Sequence, residues 1–204
     1  MIKFLPQILM VASIMIYLSF YLVGIYKGRV KPVLATWLIF LFAALLSIFT
    51  DYRESGFNGL LANAFNIVDT LAIVIVFSVI LFNKNTRLEF TIFEKRCLGV
   101  VFLIFILWIL TGQNVLAHLA IQVIMVIAYL PMIIHLWNAT KNTESLGMWS
   151  FDSIASILGM VEPLKTGAIL PLVYSLRSTI STFLVIILIF RLKYRSFLFK
   201  ESNV

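Results

Sequence analysis

The fold class this sequence predicts is an all-α membrane protein: seven transmembrane helices forming two parallel three-helix repeats, joined by a linker helix. Three observations predict it: long uninterrupted apolar runs, cations gathered on one side of those runs, and a self-match at an offset of 112 residues. Of the 204 residues, 62% are apolar and 12% charged, and mean hydropathy is +1.05. Soluble domains carry about 25% charged residues, so this chain has too little charge to coat a water-facing surface. That excludes an ordinary soluble enzyme and a disordered chain. With Cys97 as the single cysteine, it also excludes a disulfide-stapled secreted module.

A helix crossing a bilayer core of about 30 Å needs roughly 20 apolar residues. Candidate runs occupy 5–25, 33–50, 59–82, 97–111, 115–137, 149–162 and 168–190, the fourth and sixth being short. They are continuously apolar rather than alternating, which favours helices over a barrel. The first run follows Lys3, but it is longer than a signal-peptide core and no small-x-small cleavage pattern follows it, so it reads as a retained span. The resulting organisation is a first triple over 1–83, a loop and linker helix over 84–113, a second triple over 114–192 and a tail over 193–204.

Charge collects in the breaks, at Lys27–Lys31, Asp51–Glu54, Lys84–Arg96, Lys141–Glu144, Lys165 and beyond Phe190. With the N-terminus outside, twelve of the sixteen Lys and Arg residues fall on the cytoplasmic side. Three, Lys3, Arg53 and Lys165, fall outside, and Arg177 lies within a span. The positive-inside rule then puts the C-terminus in the cytoplasm, with the plasma (inner) membrane as the expected location. The net charge of +7 therefore reports topology, and no nucleic-acid partner is expected.

The shift by 112 residues places Tyr17-Leu18 on Tyr129-Leu130, Trp37 on Trp149, Ala43 on Ala155 and Thr70 on Thr182. An odd linker span between two triples makes the copies parallel, related by an axis along the membrane normal. The stretch Ala128–Trp149, AYLPMIIHLWNATKNTESLGMW, resembles the PQ-loop segment of the SWEET and PQ-loop superfamily. In that segment a proline near the end of a triple's first helix precedes a short polar loop. Tyr17 through Lys27 to Pro32 and Trp37 is a weaker first copy. The family's Pro-Gln is Pro131-Met132 here and Ser19-Phe20 in the first copy. Pro6-Gln7 stands at the opposite end of its helix and reads as chance. The PnuC-type vitamin transporters share the 3+1+3 arrangement, also lack Pro-Gln, and remain in play.

Inside the spans, polarity is expensive. Asn63, Asn66 and Thr70 follow i, i+3, i+7 and share a helical face, and their repeat mates Ser175, Ser178 and Thr182 do likewise. Facing one another, the stripes would line a cavity suited to a neutral polyhydroxyl or amide-bearing solute. Alternatively, the Ser and Thr hydroxyls bond their own helices. The resemblance carries over most directly to Asn66 and Ser178, because the third helix of each triple supplies central pocket residues in SWEET-like proteins. Asp69 and Arg177 are the charges deep in these two helices, and they read as a static ion pair, a pair that opens with transport, or a proton-coupling acid. Trp37 and Trp149 read as interfacial anchors or as substrate-stacking rings. Pro131 reads as a hinge or a structural kink.

Asp152 is expected at the cavity mouth or reaching to water, Glu162-Pro163 and Lys165 in an outer turn, and His118 with Gln122 in interhelical hydrogen bonds or an outer vestibule. No metal-ligand cluster, nucleophile–base pair or phosphate loop is visible, so neither an enzyme nor a cofactor is expected. The absence of a lysine in 168–190 excludes a retinal photoreceptor. The leading expectation is a transporter for a small polar solute (sugar, or vitamin- or nucleoside-like) working by alternating access. The solute moves downhill or with a proton, and a homo-oligomer is left open. The alternative is a receptor or sorting protein of the same fold, as in KDEL-receptor-like proteins.

Overall fold

The computed structural model describes the backbone of residues 4–83 and 90–201 and, within them, every side chain except those of 58–61 and 195–201. The predicted loop cations Lys84 and Arg87, together with Lys3, lie outside the described residues, as do the side chains of Arg195 and Lys200. Among the described residues the regular structure is all helix: α1 (Leu5–Tyr26), α2 (Leu34–Ala62), α3 (Ala64–Phe82), α4 (Ile92–Thr111), α5 (Asn114–Asn138), α6 (Leu146–Gly159), α7 (Val161–Thr166) and α8 (Ile169–Glu201).

Five segments are long and apolar enough to cross a bilayer: Leu5–Tyr26, Leu34–Phe57, Ala64–Phe82, Asn114–Asn138 and Ile169–Tyr194. α4 differs because Glu94, Lys95 and Arg96 occupy its first turns. α6 has only 14 residues, about 21 Å of helix, and the short α7 continues it.

Local chemistry sets the helix ends. Pro6 sits in the first turn of α1, where its missing N–H costs nothing. Gly28, at φ 65°, turns the chain out of α1 while Arg29 N donates to Gly24 O at 3.0 Å. Thr91 and Glu94 close a reciprocal capping box at the start of α4. Ser145 caps α6 by accepting from Met148 N at 3.2 Å.

One predicted break is corrected. Asp51–Glu54 is helical, α2 continues to a kink at Gly56 (φ 61°), and α3 starts at Ala64 rather than at 59. The physical reason is that Asp51 is 1% exposed and accepts from Asn63 Nδ2 at 3.1 Å. A carboxylate with an internal donor does not mark the chain's exit to water.

The packing has internal symmetry. α3 lies against both α1 and α2, and α8 lies against both α5 and α6. The two sets meet through α1 against α6 and α2 against α5. Exchanging α1 with α5, α2 with α6 and α3 with α8 maps these contacts onto themselves. α4 rests on α5 and α2 at the periphery and buries only Cys97 and Val101.

Large apolar side chains, among them Phe82, Leu110 and Ile169, cover the outside. Such a surface is an aggregation hazard in water and is at home against lipid tails.

Candidate functional site

A small internal cavity sits where the two sets of helices meet. Its volume is about 20 Å³, room for one water. The walls come from both sets, and much of the lining falls into positions 112 apart: Tyr17 with Tyr129, Trp37 with Trp149, and Phe40 with Asp152. Asp69, Arg177 and Ser178 complete the polar part of the wall.

The aromatic side of the wall is continuous. Tyr21 packs on Trp37 at 5.0 Å between centroids, Trp37 on Phe40 at 5.9 Å, Phe40 on Tyr129 at 4.8 Å and Tyr129 on Trp149 at 5.9 Å. Both indole N–H groups are engaged away from the cavity. Trp37 Nε1 donates to Tyr21 Oη at 3.1 Å, and Trp149 Nε1 donates to Glu144 Oε2 at 3.2 Å. The tryptophans thus offer the cavity their rings.

The polar side is a network across four helices. Tyr17 Oη donates to Asp69 Oδ1 at 2.8 Å and Tyr174 Oη donates to Asp69 Oδ2 at 2.9 Å. The expected Asp69–Arg177 ion pair is not formed: among the described residues the ion pair within 4.0 Å is Lys165–Glu162 at 3.8 Å, in α7. Arg177 instead donates Nε to Gln122 Oε1 at 3.3 Å and lies over the Tyr174 ring, 4.8 Å from its centroid. Two tyrosine hydroxyls satisfy both Asp69 oxygens, and cation–π contact with Tyr174 holds the guanidinium beside them. Gln122 also meets His118, whose other ring nitrogen meets Thr50 at 3.3 Å, so a polar chain runs from α2 through α5 to α8.

The expected residues divide. Trp37, Trp149, Asp69, Arg177 and Ser178 meet at the cavity. Asn63, Asn66, Thr70, Ser175 and Thr182 are not among its lining. Asn66 Nδ2 donates to Ser47 Oγ at 2.9 Å, Thr70 donates to Asn66 O at 2.7 Å, and Asn63 holds Asp51. Ser175 and Thr182 donate to the carbonyls of Pro171 and Thr179 on their own helix. Asn66 and the N-cap Asn63 thus turn to α2, and Thr70 bonds its own helix. Asp152 is in the cavity wall, 6% exposed, rather than at a mouth or in water. Tyr174 carried no sequence signal, whereas Tyr17 and Tyr129 were visible as a repeat match.

At the end of the bundle that carries the α1–α2 and α5–α6 connections, those connections touch: Lys31 N donates to Thr143 O at 3.2 Å. Glu144 is buried there at 5% exposure, and burial pushes its carboxyl up to about 8 despite the Trp149 N–H that favours the charged form. A larger depression of about 920 Å³ opens nearby, with Lys31, Pro131, His135 and Asn138 in its wall. Pro131 is inside α5, where it removes one helix hydrogen bond.

The fold and the buried polar centre define an all-helical integral membrane protein. Comparison of the chain with family models, with curated proteins and with solved structures finds no match.

Proposed function

We propose that the chain is a transporter, not an enzyme, that moves a small polar solute by alternating access between two three-helix repeats, in the manner of the SWEET and PQ-loop superfamily it resembles. In this reading α4 and the α6–α7 pair also cross the bilayer, which brings the spans to seven. α4 is the linker, the N-terminus lies outside, and the plasma (inner) membrane is the site. The observation that carries the reading is the cavity at the seam, lined from both repeats at equivalent positions and ringed by the α1–α6 and α2–α5 contacts. A site on the axis between two rocking units is exposed to alternate sides as the contacts on one side part. The Lys31–Thr143 contact is the closed end of such a path.

The test is reconstitution of the purified protein in liposomes with labelled solutes of several classes. Uptake or exchange of a small polar solute, lost when Trp149 is replaced by Leu, supports transport. Binding of such a solute without exchange sinks transport and leaves the receptor of the same fold.

A further inference from the structure

The ionisable groups around the central cavity are unequal in number. Asp69 and Asp152 share its wall with Arg177, two carboxylates against one guanidinium. Asp69 has a tyrosine hydroxyl on each oxygen, and Arg177 has Gln122 and the Tyr174 ring. Asp152 has no such support: the residue is 6% exposed and its Oδ1 lacks a hydrogen-bond partner. Buried polar atoms in native folds are nearly always paired, so an unpaired carboxylate oxygen in a cavity wall marks a place for a guest.

The rest of the wall says which kind. Trp37, Phe40, Tyr129 and Trp149 surround the space, and the two indole N–H donors are spent on Tyr21 and Glu144. What remains on that side is aromatic surface with the Tyr129 hydroxyl, and aromatic rings attract positive charge over their faces. A cationic donor suits both the open Asp152 oxygen and the aromatic wall, whereas an anion would be repelled by both. We infer that the cavity takes a solute bearing a cationic nitrogen, an alkyl- or arylammonium, with its charge against Asp152 and its body between Trp37 and Trp149. The inference deepens the transport reading and rests on it. A cavity of about 20 Å³ admits such a guest only when the α1–α6 or α2–α5 contact parts, so loading and opening are one event.

Choline, benzylammonium and N-methylpyridinium serve as cationic probes, and glucose and ribose as neutral ones. Each is run against the purified full-length protein by thermal shift and in liposomes by counterflow. The cations are expected to stabilise the protein and to exchange, and the sugars to do neither. Asp152→Asn should weaken cation binding by about tenfold or more, the worth of a charge-assisted contact, and Asp152→Glu should largely retain it. Trp37→Leu should weaken it with every charge in place, which keeps the test informative if the Asn variant fails to fold. Exchange of sugars while the cations are inert would overturn the inference and leave transport standing, as would proton uptake accompanying sugar exchange. Cation binding without exchange would support the site and overturn transport. Silence of every probe in both assays would overturn both. A cation response undiminished in Asp152→Asn would also overturn the site.

Discussion

Tyr174 of α8 donates its hydroxyl to Asp69 of α3 at 2.9 Å, and this bond joins the two helices that lie at the middle of their respective triples. Tyr17 of α1 takes the other oxygen at 2.8 Å, so one carboxylate ties three helices together. Tyr174→Phe removes a donor to a buried charge and should cost about 1.5–3 kcal/mol. Tyr17→Phe should cost a similar amount. The double variant should lose less than the two single losses combined, because the two hydroxyls hold one carboxylate between them and each bond is worth less once the other is gone. Thermal unfolding of the four proteins in detergent checks this, and strict additivity would mean that the hydroxyls act independently.

Glu144 predicts a pH dependence with a definite sign. Its carboxyl is raised from an ordinary 4.5 to about 8, chiefly by burial. Below the lower value both folded and unfolded chains hold the proton. Between the two the unfolded chain releases it while the folded one does not, so stability falls as pH rises, and the loss is complete above about 8. Glu144→Gln keeps an acceptor for Trp149 Nε1 and carries no proton to lose. Its melting temperature should exceed the parent's above pH 8, and the difference between the two should shrink as the pH is lowered through this window. A constant difference across the range would show that Glu144 is ionised in the fold throughout.

Gly159 of α6 packs directly against Phe65 of α3. A Cβ placed there would meet Phe65 Cβ and Cγ at 2.8 Å, and the stem of a ring cannot swing aside as a flexible chain end can. Gly159→Ala should destabilise by about 1–3 kcal/mol through overpacking. Gly99, where a Cβ meets nothing within 4 Å, is the control, and Gly99→Ala should be neutral or stabilising. Equal melting temperatures for the two variants would contradict the packing.

The touching connections at Lys31 and Thr143 allow a mechanical test of alternating access. Cysteines at both positions, in a chain whose Cys97 is replaced by Ala, should form a disulfide on oxidation, since Lys31 N and Thr143 O lie 3.2 Å apart. Solute exchange should stop on oxidation and return on reduction, with either single cysteine indifferent. Exchange that continues in the crosslinked protein would mean this end does not open.

Apolar runs made most helices legible in sequence, because a bilayer demands continuous hydrophobicity and the runs supply it. The ends were less legible where an acid is kept inside: Asp51 reads as a loop residue until Asn63 is seen to hold it. At the site, the cost of burying charge singled out Asp69 and Arg177, and the repeat singled out Trp37 and Trp149. Periodicity placed Asn63, Asn66 and Thr70 on a common face but could not say which neighbour that face meets. Asn63 and Asn66 meet Asp51 and Ser47 of α2, while Thr70 bonds within α3. Tyr174 escaped notice because a tyrosine in an apolar run is indistinguishable from core until its hydroxyl finds a partner.

The pairing of Phe40 with Asp152 breaks the symmetry of the frame. A cavity with identical halves would accept a guest in two orientations related by the axis, with neither preferred. One acid opposed by one benzyl ring removes that degeneracy. A molecule with a head and a tail then has a single way to lie, and mirror-image guests present different groups to the same wall. In the proposed transporter, stereochemical selectivity would arise from such mismatched positions, Asp69 and Arg177 among them, since Ser181 and Phe65 stand 112 residues away from these two.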